Sequence, residues 1–119
     1  MSLAARILSV VIAVLFTAIG LAKVAALEPM RERAAHAGFG VPAYRRLGVL
    51  EVTGAAGLLI GLAVPQVGLA AALGLVLLLV GAFVVHVRAG DGLAEMMPAI
   101  VVGTATVACG LLLASEVAS

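Results

Sequence analysis

Four long apolar runs, at residues 3–27, 47–64, 67–87 and 93–114, take up most of this chain and leave it few ways to fold. Each holds roughly 18–25 residues, enough for a helix to cross a hydrocarbon core of about 30 Å. Of the 119 residues, 65% are hydrophobic and 11% charged, where a soluble domain is charged at about a quarter of its positions. A soluble chain of this size cannot bury so much apolar surface, because small domains leave a large share of it exposed. The expected solvent is lipid. There every backbone polar group needs an internal partner, which leaves helices or closed barrels. The runs are continuous rather than alternating, and rich in Ala, Leu and Gly, so helices are expected. The expected fold is all-α: an integral membrane four-helix bundle, antiparallel, in one domain over residues 1–119. A polar loop or short interfacial helix is expected between spans one and two.

Several function classes drop out early. The net charge is +1, and no basic run is interleaved with the three Phe and one Tyr, so nucleic acid is not an expected partner. The single cysteine, Cys109, excludes an internal disulfide and any CxxC metal or redox pair. It lies in an apolar run and is expected to be a small buried residue.

The first run carries Arg6 near its start and Lys23 near its end, then meets Glu28-Pro29. It is longer than a signal-peptide core and ends without a small-residue cleavage site, so it reads as a retained span. Residues 28–46 form the extended polar segment, punctuated by Pro29, Gly38, Gly40 and Pro42. Between those breaks, residues 30–37 suffice for about two helical turns on the membrane surface. That segment is either a solvated connector or a lid over the entrance between spans. Pro65-Gln66 with Gly68 marks a tight turn. Gly57 and Gly61, Ala99 and Gly103, and Gly74 and Gly81 stand at helix-packing intervals. They serve packing inside the bundle or a homodimer seam.

The charges inside the runs say most about function. Glu51 lies in an apolar run, where a carboxylate at mid-membrane costs about 2.5–3.5 kcal/mol on the lenient insertion scale. It must be neutral, paired, or facing a polar cavity. Antiparallel threading brings Lys23, Glu51, His86, Arg88, Asp91 and Glu95 to one membrane face together with the polar segment. Lys23 is four residues inside Leu27, and Glu51 four inside Leu47. At a rise of about 1.5 Å per residue both lie one turn below the surface. An ion pair between them is expected, with His86 close above and Arg88 and Asp91 at the rim. Lys23 also has a bland alternative, snorkelling to the head groups. One inward acid and one histidine do not make a metal-ligand set. Lys23, Arg31, Arg33, Arg45, Arg46 and Arg88 outweigh Arg6 on the other face, so the polar face is expected in the cytoplasm.

Four segments taken together resemble a known family. Phe16-Thr17-Ala18-Ile19-Gly20-Leu21-Ala22-Lys23, Gly38-Phe39-Gly40-Val41-Pro42, Gly48-Val49-Leu50-Glu51 and His86-Val87-Arg88-Ala89-Gly90-Asp91 are similar, in that order, to segments of the DoxX-like proteins. The resemblance covers nearly the whole chain. It implies a compact four-helix membrane bundle, multi-pass in a bacterial inner membrane. It also implies a link to redox or oxidative-stress complexes, since the family takes its name from a membrane subunit associated with a thiosulfate–quinone oxidoreductase. Other relatives look like assembly factors. No flavin, haem or dithiol site is evident in the residues, so any redox role is that of a quinone-side or anchoring subunit.

Two readings follow. In the first, the bundle binds a lipophilic molecule such as a quinone, and Lys23, Glu51 and His86 form the polar end of a cavity between spans one to three. In the second, the protein is a non-catalytic scaffold or assembly factor, docked to a membrane partner or to a second copy, and the same charges are a structural clamp. A transporter has less behind it, because no span is broken by Gly or Pro at mid-depth.

Overall fold

A computed structural model describes residues 1–119 as five helices and no strand. They are α1 (Leu3–Val24), α2 (Glu28–His36), α3 (Val41–Ile60), α4 (Pro65–Arg88) and α5 (Leu93–Ala118). Local chemistry sets their ends. The Ser2 hydroxyl accepts from the Ala5 N–H at 3.1 Å and caps α1. Pro29, Pro42 and Pro65 stand in the first turns of α2, α3 and α4, where a missing N–H breaks no helical bond.

Three helices end in the same way. After α1 the Leu27 N–H reaches the Ala22 carbonyl, after α2 Phe39 reaches Ala34, and after α4 Asp91 reaches His86. Each is the six-to-one bond of a Schellman turn, which needs a left-handed residue just before the donor. Those residues are Ala26 (φ 52), Gly38 (φ 81) and Gly90 (φ 76). Ala26 is the costly one, since a Cβ there is crowded by about 1–2 kcal/mol.

Helix α3 departs from the expected second span. It begins at Val41 rather than near residue 47, because Pro42 starts the helix instead of breaking the chain before it. Tyr44, Arg45 and Arg46 thereby join its first turns. The difference matters for membrane crossing. Helices α1, α4 and α5 are long and apolar enough to span a membrane. The expected second span is not among them, because α3 carries Arg45, Arg46 and Glu51 within its 20 residues.

Helix α1 packs on α3, α3 on α4, α4 on α5, and α5 back on α1, with the α1–α3 seam the most extensive. Named contacts give their senses. Gly57 abuts Ala71 while Gly54 abuts Leu75, so α3 and α4 run in opposite directions. Gly110 beside Ala72 and Leu113 beside Gly68 do the same for α4 and α5. Ser9 meets Cys109 at 3.5 Å, and the Ser2 N–H meets Glu116 at 3.0 Å, for α1 and α5. The core is one cluster, built mainly from Ile12, Phe16, Leu58, Leu75, Cys109 and Leu113.

Only 20 of the 119 residues are buried, and Leu3, Leu77 and Leu111 are each about 70% exposed. An outer surface of Leu, Val and Ile in water would aggregate. In lipid it is at home. The longest dimension, 44 Å, matches a bilayer with its head groups, about 40–45 Å.

Candidate functional site

The site begins with two glycines. A methyl group on Gly20 would stand 2.7 Å from the Gly48 carbonyl oxygen, and one on Gly48 would stand 2.6 Å from the Gly20 carbonyl oxygen. Backbone can approach that closely only where no Cβ intervenes. One turn away on each helix, Lys23 of α1 and Glu51 of α3 face each other. The Lys23 ammonium pairs with Glu51 Oε1, and the two side chains are 13% and 8% exposed. Lys23 is therefore turned inward and does not snorkel. Its Nζ also lies 4.8 Å from the centre of the Tyr44 ring, within cation–π range. Phe39 lies beside that ring, at 6.2 Å between centroids.

The carboxylate is half used. Glu51 Oε2 is buried and has no hydrogen-bond partner, in a setting where buried polar atoms are nearly always satisfied.

The remaining expected residues gather elsewhere. His86 Nδ1 lies 2.6 Å from Asp91 Oδ2, and His36 Nε2 lies 2.7 Å from Asp91 Oδ1. One aspartate thus receives two imidazoles, one from the end of α4 and one from α2. No hydrogen bond or ion pair joins this group to Lys23 and Glu51, so His86 does not complete the buried pair as expected. Its partner is five residues along its own chain because the Schellman turn after α4 folds Asp91 back over the helix end. Arg88 is exposed and joins neither group.

Two members of these clusters escaped the sequence reading. His36 lies in the polar segment, within the short surface helix expected at residues 30–37, where nothing marked it for a partner on α4. Tyr44 gave no signal beyond being the sole tyrosine in a polar stretch.

Hydrogen bonds from His86, and then from His36, hold the Asp91 carboxyl below its ordinary value of 3.8. A carboxyl lowered by folding contributes stability above its unfolded pKa, and that contribution is lost as pH falls through the lowered folded value. The gap in thermal midpoint between the native protein and an Asp91→Asn variant is expected to persist at about pH 5–7 and shrink below about pH 4. Thermal unfolding in detergent across that range checks this; a gap that widens in acid contradicts it.

Space around the clusters is uneven. The face of Lys23 and Tyr44 toward α2 is filled by Met30 and Ala34, with no room for a water molecule. An open groove of about 390 Å³ runs instead along the seam of α4 and α5, lined mainly by Leu79, Val80, Phe83, Ile100 and Gly103. The cavity expected between spans one to three is not found at the charged pair.

An all-helical chain with three helices long and apolar enough to span a membrane, an apolar exterior and a buried ion pair is that of a multi-pass membrane protein. The sequence model of the DoxX-like family matches residues 7–113, and the chain belongs to that family. No curated protein and no solved structure matches it.

Proposed function

We propose that the protein is a four-span subunit of a bacterial inner-membrane complex with a redox or stress role, and that it binds a lipophilic, quinone-type molecule at Lys23 and Glu51. In this reading α3 is the fourth span and completes an antiparallel bundle. Its 20 residues reach about 30 Å, and Arg45 and Arg46 extend to the head groups as flanking cations do.

The observation that carries the ligand reading is the unpartnered Glu51 Oε2. A purely structural clamp has no use for a buried carboxylate oxygen without a donor. A quinol hydroxyl supplies one, and the Lys23 ammonium can donate to a quinone carbonyl. The test is thermal unfolding of the detergent-solubilised protein with a short-chain benzoquinone or its quinol. A midpoint raised in the native protein, and raised less in Glu51→Gln, supports the reading; no shift in the native protein rejects it.

A second reading, a non-catalytic scaffold, draws on different residues. Beyond Gly74 and Gly81 there is open space, which leaves that face of α4 free to dock a partner helix or a second copy. Under it, quinone leaves the midpoint unchanged, and Gly74→Leu weakens recovery of a partner chain.

A further inference from the structure

We infer that α2 is a hinged lid over the buried Lys23–Glu51 pair, latched at its far end by the contact between His36 and Asp91. This goes beyond the quinone reading, because it concerns access to the pair and holds for any ligand of it.

The inward face of α2 is small. Met30 and Ala34 are its buried residues, 8% and 1% exposed, and they sit on Lys23 and Tyr44. Every other residue of the helix is exposed. Two side-chain hydrogen bonds tie α2 to the rest of the chain. Arg31 Nε donates to the Ala26 carbonyl at 2.9 Å, in the turn that leads into the helix. His36 reaches Asp91 at 2.7 Å, across to the corner between α4 and α5.

The chain on either side is built to turn. Ala26 and Gly38, both left-handed, flank α2, and hinges are element-terminal residues that absorb changes of φ and ψ. A helix with a narrow buried face, a pivot at each end and a single polar contact reaching across to the α4–α5 corner is a unit that can open locally, with that contact as its one tie to α4. The nearby charged groups do not share the role. Glu32 and Arg33 on α2, Arg45 and Arg46 on α3, Arg88 on α4 and Glu95 on α5 form no ion pair with His36 or Asp91. His86 is the exception, holding the second oxygen of Asp91 and so fixing the carboxylate toward His36.

When the lid swings out, the Lys23 ammonium and the Tyr44 ring open to the polar face of the membrane, and a polar head group gains a route to the pair. The test uses the full chain in detergent carrying Met30→Cys, labelled with a polar maleimide. Native Cys109, 0% exposed at the other end of the bundle, serves as an internal reference. Labelling at position 30 is expected to be slow with the latch intact and at least tenfold faster when His36→Ala or Asp91→Asn is added, with Cys109 still protected. Equal rates with and without the latch overturn the inference. So does a parallel rise at Cys109, which reports general loosening. Should Met30→Cys fail to fold, amide exchange in the His36→Ala protein decides. Faster exchange confined to residues 31–37 supports the lid, and unchanged exchange there rejects it. Neither readout involves quinone, so the lid and the quinone reading fail separately.

Discussion

Removing one partner of the Lys23–Glu51 pair is expected to lower the unfolding free energy by about 3–5 kcal/mol, the usual cost of leaving one buried charge alone. Lys23→Met is expected to be the more damaging of the singles. It leaves both Glu51 oxygens without a donor, whereas the amide oxygen in Glu51→Gln still accepts from the Lys23 ammonium. The double variant Lys23→Met with Glu51→Gln is expected to recover most of the loss, because no charge is then stranded between α1 and α3. Thermal or denaturant unfolding of the four proteins in one detergent measures this as a double-mutant cycle. Additive losses would mean that the two side chains do not depend on each other, and the paired arrangement would have to be given up.

The second large effect is steric and comes from the glycines that set the pair at contact distance. Gly48→Ala places a methyl group 2.6 Å from the Gly20 carbonyl oxygen and 2.8 Å from Lys23 Cβ. Backbone cannot move aside as a flexible side chain does, so α1 and α3 must separate. A loss of about 1–3 kcal/mol or somewhat more is expected from overpacking, with a further loss as Lys23 is drawn away from Glu51. Gly74→Ala is the control. A Cβ there meets nothing within 4 Å, and Ala in a helix interior gains about 0.5–1 kcal/mol over Gly. Opposite signs for these two Gly→Ala changes are the expected result, read from unfolding midpoints. A neutral Gly48→Ala would show that the helices tolerate a wider spacing than the one described.

Much of the architecture is legible in the residues. Continuous apolar runs dictate helices and a lipid exterior, and prolines and glycines mark most of the breaks. Counting residues from the ends of those runs sets Lys23 and Glu51 equally far in, and the structure brings the two side chains together. The start of α3 is less legible, because Pro42 opens a helix as readily as it closes one, and charge content alone does not choose. The same ambiguity leaves Arg45 and Arg46 outside a span in the sequence and inside a helix in the structure.

What the sequence determined by itself was position along the helices: Lys23, Glu51, His86 and Asp91 all fall toward the end where α1 meets α2 and α4 meets α5. Tertiary structure alone decided direction around each helix axis. The approach of Gly20 to Gly48 turns Lys23 toward Glu51, the fold-back of α2 carries His36 to Asp91, and the turn after α4 holds His86 beside Asp91 instead of above the buried pair. Hydrophobic periodicity reports which side of a helix avoids lipid, but α1 is apolar nearly all round, and Arg45, Arg46 and Glu51 fall on different sides of α3. Only the packing of one helix on the next chooses the facing side.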